Sequence, residues 1–261
     1  MRLLLARNDV NSNKPDIHGR TPLWQASRHG HEEVVRLLLA RPDVNSDKSD
    51  NDDKTPLWVA FRWGYEGMVK LLLAQNDVNP DKPDDGKAPF WVASRWGHEE
   101  VVKLLLARDD ANPDKPAEGG DTPLLWASFN GHEGVVRLLL ARDDVNHNKP
   151  DNDGETPLWG AAWDRHEGVV RLLLARDDVN PDKPDNYCQT PLWGASHNGH
   201  IGVVSLLLAR DDVNPNQSNN DGKTSLCATS SDGHEGVARI LLSRGAIDPE
   251  QPDNNSPTPL Q

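Results

Sequence analysis

One motif returns along this chain at a nearly fixed interval, and no other feature restricts the fold so strongly. TPLW opens at Thr21, Thr55, Thr156 and Thr190, with the variants APFW at Ala88, TPLLW at Thr122, TSLC at Thr224 and a cut-off TPLQ at Thr258. Successive openings lie 34 residues apart, except for one interval of 33 between Thr55 and Ala88. Ten residues after the first seven openings stand His31, Tyr65, His98, His132, His166, His200 and His234, each followed by a leucine block such as Leu37-Leu38-Leu39. So regular a period means a stacked array in which each unit buries its apolar face against the next.

Composition agrees. Hydrophobic residues make up only 36% of the chain, well below the roughly 45–50% of an ordinary domain. One large core is beyond such a sequence, whereas a thin core repeated unit after unit is not. The net charge of −13 argues against general nucleic-acid binding, which needs a basic surface to release counterions. The start MRLLLARNDV has too short an apolar run for a signal peptide, and nothing approaches a membrane span. Cys188 and Cys227 show neither metal-like nor disulfide-framework spacing, so an intracellular, cytoplasmic protein is expected.

Within a unit the residues specify two short helices. Thr21 is a good N-cap and Pro22 suits the first helical position, where its missing N–H costs nothing. The first helix is predicted from Pro22 to about Arg28, stopping at Gly30, which tolerates left-handed geometry. Val34, Val35, Leu37, Leu38 and Leu39 make the second helix apolar over most of its circumference, so neighbours must sandwich it. Neither helix is long enough to be stable alone. The links between units, such as DVNPDKPDNDGE, carry turn residues, and paired prolines (Pro80 with Pro83, Pro181 with Pro184) should prevent long edge strands.

Tetratricopeptide repeats share the period but not this pattern of residues. The unit TPLWGAAWDRHEGVVRLLLARDDVN of residues 156–180 instead resembles the ankyrin repeat, with its T-P-L, small Ala pair, G-H-x-x-V-V-x-L-L-L and D-V-N. It departs from that pattern in carrying Trp for the TPLH histidine, in usually lacking Gly after the second helix, and in a loop about two residues longer. The resemblance implies an all-α, ankyrin-type solenoid of helix-turn-helix units joined by short hairpin-like loops. The whole chain, 1–261, is read as one array: a partial repeat at 1–20, full repeats at 21–54, 55–87, 88–121, 122–155, 156–189, 190–223 and 224–257, and a truncated start at 258–261.

Candidate chemistry is sparse. The histidines lie one per repeat, too far apart to converge on one ion, and are expected to fix the turn between helices. Asp151-Asn152-Asp153-Gly154 lacks the preceding ligand of a calcium loop, since Lys149 stands there. No elbow, phosphate loop or nucleophile set occurs, so neither enzyme activity nor a cofactor is expected. Trp24, Trp58, Trp91, Trp159 and Trp193, at equivalent sites, read as packing between repeats, with a base- or sugar-stacking strip as the other reading.

More informative is what varies. The resemblance implies a concave partner-binding groove lined by the ends of the first helices and by the residue before each Thr-Pro. In this sequence those positions give Arg20, Arg28, Lys54, Arg62, Trp63, Lys87, Arg95, Trp96, Phe129 and Trp163 as candidate contacts. A basic-aromatic patch over the first three repeats, on an acidic chain, points to an acidic segment of a partner protein; ordinary solvated helix ends, with Arg covering Trp, are the competing reading. The expected function is a non-enzymatic protein-interaction scaffold of unknown partner. A ligand-sensing module of a larger receptor and a self-associating array are the alternatives. A monomer is expected, with end-to-end association open through the unpaired Leu3-Leu4-Leu5 helix.

Overall fold

The computed structural model describes residues 11–80, 82 and 87–243. The expectations for Leu3–Leu5 and for a truncated start at 258–261 therefore lie outside the described residues. The chain falls into two compact units, one ending at Glu118 and one beginning at Gly119.

Among the described residues of unit 1, three helix pairs follow one another: α1 Pro22–Arg28 with α2 Glu32–Leu39, α3 Pro56–Arg62 with α4 Glu66–Leu73, and α5 Pro89–Arg95 with α6 Glu99–Leu106. The described residues of unit 2 form four: α7 Pro123–Phe129 with α8 Glu133–Leu140, α9 Pro157–Trp163 with α10 Glu167–Leu174, α11 Pro191–His197 with α12 Ile201–Leu208, and α13 Ser225–Asp232 with α14 Glu235–Ser243. Within each unit the first helices pack on first helices and the second on second, giving two layers. Val35, Val69 and Val102 in unit 1, and Val136, Val170 and Val204 in unit 2, fill the seam between the layers and are fully buried. The architecture is the all-α repeat array that the period implies.

Local chemistry explains each boundary. The Thr21 hydroxyl accepts the N–H of Trp24 at 3.2 Å, and Thr55, Thr122, Thr156, Thr190 and Thr224 repeat the cap. Ala88 has no such cap. After each first helix the chain turns through a left-handed residue: Gly30, Gly64, Gly97, Gly131, Gly199 and Gly233 at φ between 66° and 73°, and Arg165 at φ 64°. The side chains of His98, His166 and His200 make no cap bond in this turn, where they were expected to fix it, but reach back to the preceding repeat. Nε2–H of His98 donates to the Arg62 carbonyl at 3.2 Å, and His166 and His200 reach Phe129 and Trp163 at 2.9 Å, so each ties its repeat to the helix end of the one before.

The missing Gly after the second helix also has a structural counterpart. Arg108, Arg176 and Arg210 donate Nη1 to the last carbonyls of the preceding repeat's second helix, at Leu73, Leu140 and Leu174, while pairing with Asp110, Asp178 and Asp212. These carbonyls are among the groups a helix C-terminus leaves unsatisfied. The fingers are closed by turns rather than by ladders of strands. Asp50 accepts the N–H groups of Asp52 and Lys54 on its side chain and donates its own N–H to the Lys54 carbonyl; Asp16, Asp151, Asp185 and Asn219 build the same turn.

Candidate partner-binding cleft

Three residues spaced by four define the site in unit 1: Arg20-Trp24-Arg28, Lys54-Trp58-Arg62 and Lys87-Trp91-Arg95. Residues four apart on a helix share a face, and the residue before the Thr cap lies close enough to extend that face backward. Each buried indole is therefore covered by two cations. The distances to the ring centroid are 5.5 and 5.7 Å for Arg20 and Arg28 on Trp24, 5.7 Å for both Lys54 and Arg62 on Trp58, and 5.5 and 5.3 Å for Lys87 and Arg95 on Trp91. All lie inside the roughly 6 Å range of cation–π attraction. The buried tryptophans are thus packing residues, as their equivalent placement suggests, and Trp24 also donates Nε1–H to the Lys54 carbonyl at 2.9 Å.

Around Trp58 and Trp91 the surface opens into a cleft of about 830 Å³. Lys54, Arg62, Lys87, Arg95 and Trp96 line it, with Asp52 and Asp53 on the finger side. Asp52 pairs with Lys54 at 3.5 Å, whereas no carboxylate among the described residues pairs with Arg62. Trp96 remains half exposed at 50%, although Arg62 also stands 5.9 Å from its ring. Trp63 is 53% exposed but does not line this cleft; Arg20, held by Asp16 at 2.9 Å, and Arg28 lie outside it as well.

Unit 2 carries the same spacing with different chemistry: Asp121-Leu125-Phe129, Glu155-Trp159-Trp163 and Gln189-Trp193-His197. Rings replace the cations. Trp159 stacks on Trp163 at 4.9 Å and Trp193 on His197 at 5.0 Å, while Phe129 reaches Trp159 at 6.2 Å and Trp163 reaches His197 at 5.9 Å. A Cβ on Gly160 would come within 2.6 Å of the Phe129 ring, and one on Gly194 within 3.1 Å of Trp163. Phe129 and Trp163 are half-buried members of this stack and are not among the residues that line the cleft of unit 1. Asp52 and Asp53 were not named from the sequence, although their adjacency to Lys54 signals them; Trp58 and Trp91, read there as packing residues, also line the cleft.

Acids crowd the fingers of unit 2. Burial, and then the carboxylates of Asp151, Asp153, Asp185 and Asp121, push Glu155 up to about 7. No group of three metal-ligating side chains occurs among the described residues, and no described helix is long and apolar enough to cross a membrane.

The family model for ankyrin repeats (three copies) matches residues 1–84, 44–117, 67–151, 90–185 and 178–253. The chain belongs to the ankyrin-repeat family, whose repeats are protein–protein interaction modules and whose members are typically non-enzymatic. No curated protein matches the chain.

Proposed function

We propose that this protein is a non-enzymatic scaffold that binds an acidic, extended segment of a partner protein in the cleft of unit 1, in an intracellular, cytoplasmic setting. The observation that carries the reading is the convergence of Lys54, Arg62, Lys87 and Arg95 on one cleft beside the exposed Trp96. Packed helices lie roughly 8–10 Å apart, and an extended chain advances ~3.3 Å per residue, so carboxylates on every third residue keep step with the repeats. Arg62 and Arg95, resting on indoles, offer planar donors already oriented for carboxylates. Trp96 supplies an aromatic anchor of the type that dominates interface energies. Lys54, already shared with Asp52, acts at the rim and speeds association more than it holds the complex.

The test is a titration of the intact protein with an extended peptide bearing Asp at every third residue, beside an uncharged peptide of equal length. Binding of the acidic peptide only, weakened about thirtyfold by Trp96→Ala and hardly at all by Lys54→Ala, is expected. Equal affinity for both peptides, or an acidic complex unaffected by Trp96→Ala, overturns the assignment.

A further inference from the structure

The same repeat position carries opposite charge in the first three repeats and the two that follow. The residue before the helix cap is Arg20, Lys54 or Lys87 in unit 1, and Asp121 then Glu155 in the first two repeats of unit 2, with Gln189 and Lys223 in the last two. In unit 1 two of these cations line an open cleft. In unit 2 Glu155 is half-buried, which raises its pKa, and it lies among the carboxylates of Asp151, Asp153, Asp185 and Asp121, which raise it further. First helices pack side by side within both units, at the roughly 8–10 Å step usual for packed helices. One rung of carboxylates therefore advances at the same pitch as one rung of cations.

We infer that the acidic segment seated in the cleft of unit 1 is, in one state of the protein, supplied by a second copy of this chain: the fingers bearing Asp121 and Glu155. This rests on the cleft being the anion-binding site proposed above. Lys54 and Lys87 of one copy face Asp121 and Glu155 of the other, and the docked finger covers the exposed ring of Trp96. The contact is heterologous, since one copy gives its unit 1 and the other its unit 2. The free energy comes from charge complementarity between surfaces that each copy carries separately, so it is sensitive to salt.

Sedimentation velocity of the intact chain tests this. At about pH 8, above the value of about 7 to which Glu155 is pushed, self-association that grows with concentration at about 0.1 M salt, and weakens about tenfold or more at about 1 M, is expected, because the screening length shrinks from ~10 to ~3 Å. Two charge-reversed variants separate this contact from others: Lys54→Glu with Lys87→Glu, and Asp121→Lys with Glu155→Lys. Each alone is expected to stay monomeric, and an equimolar mixture to associate again, since the unaltered cleft of one variant then meets the unaltered finger of the other, and the two reversed surfaces also complement each other. Circular dichroism establishes that both variants keep their helices. A wild-type chain that is monomeric at about 0.1 M salt while it binds the acidic peptide overturns the second-copy contact and leaves the cleft assignment standing. A chain that neither associates nor binds the peptide overturns both. A mixture that fails to associate, from variants that are folded, also overturns the contact.

Discussion

The guanidinium of Arg62 serves two repeats at once, lying 5.7 Å from the ring of Trp58 in its own helix and 5.9 Å from Trp96 in the next repeat. The first ring is buried at 7% exposure and the second is open. Arg62 therefore contributes to unit 1's stability as well as to its cleft. Arg62→Met, which keeps an apolar stem over Trp58 but removes the charge, is expected to lower stability by about 0.5–1 kcal/mol in chemical denaturation. An unchanged midpoint means the charge adds nothing beyond cover.

Arg165 occupies the left-handed turn position that is Gly in the other six described repeats. A non-Gly residue there costs about 1 kcal/mol. Its charge also lies beside His200, whose pKa burial lowers first and Arg165 lowers further. Arg165→Gly should raise the melting temperature by several degrees. Melting below the parent contradicts the strain argument. Cys188, exposed and also left-handed at φ 58°, provides a second site where Gly should stabilise.

Glu155 makes stability depend on pH with a definite sign. Its folded value, about 7, lies above the ordinary glutamate value of 4.5, so the fold favours its protonated form. That contribution is present in full below the ordinary value and is lost as pH rises through about 7. Glu155→Gln should therefore melt higher than the parent at about pH 8, with the difference closing by about pH 4. An equal difference at both values is incompatible with this account.

Gly160 makes room for a neighbour's ring. Its missing Cβ would meet Phe129 Cδ2 at 2.6 Å, so Gly160→Ala should destabilise unit 2 by about 1–3 kcal/mol through overpacking. Combining it with Phe129→Leu, which withdraws the ring, should recover part of the loss in a double-mutant cycle. Strictly additive losses place the cost elsewhere.

The helices, their Thr caps and the left-handed turns were legible in the sequence, because each depends on residues within ten positions of one another. The positive φ of Arg165 belongs to the same class, since one missing Gly in an aligned series exposes it. Contacts across repeats were harder to read. The reach of Arg176 to the Leu140 carbonyl, of His98 to Arg62 and of Phe129 into the space over Gly160 all span more than thirty residues. They depend on how far one repeat slides over the next, which periodicity alone does not state. The same holds for the site. The cations were evident, and Arg covering Trp was one of the two readings of them, whereas the stacking of Phe129 and Trp163 on Trp159, and of Trp163 against His197, was not evident.

The cleft itself is tested most directly by a double-mutant cycle between Arg62 and the acidic peptide, measured by isothermal titration calorimetry. Arg62→Ala is combined in turn with Asp→Asn at each carboxylate of the peptide, and Arg171→Glu, exposed on α10 and no part of the cleft lining, serves as the control. One carboxylate should couple to Arg62 by about 1.5 kcal/mol or more, as close charge pairs across interfaces do, while the Arg171 variant binds like the parent. Additivity within about 0.5 kcal/mol at every carboxylate would contradict the assignment of this cleft as the binding site.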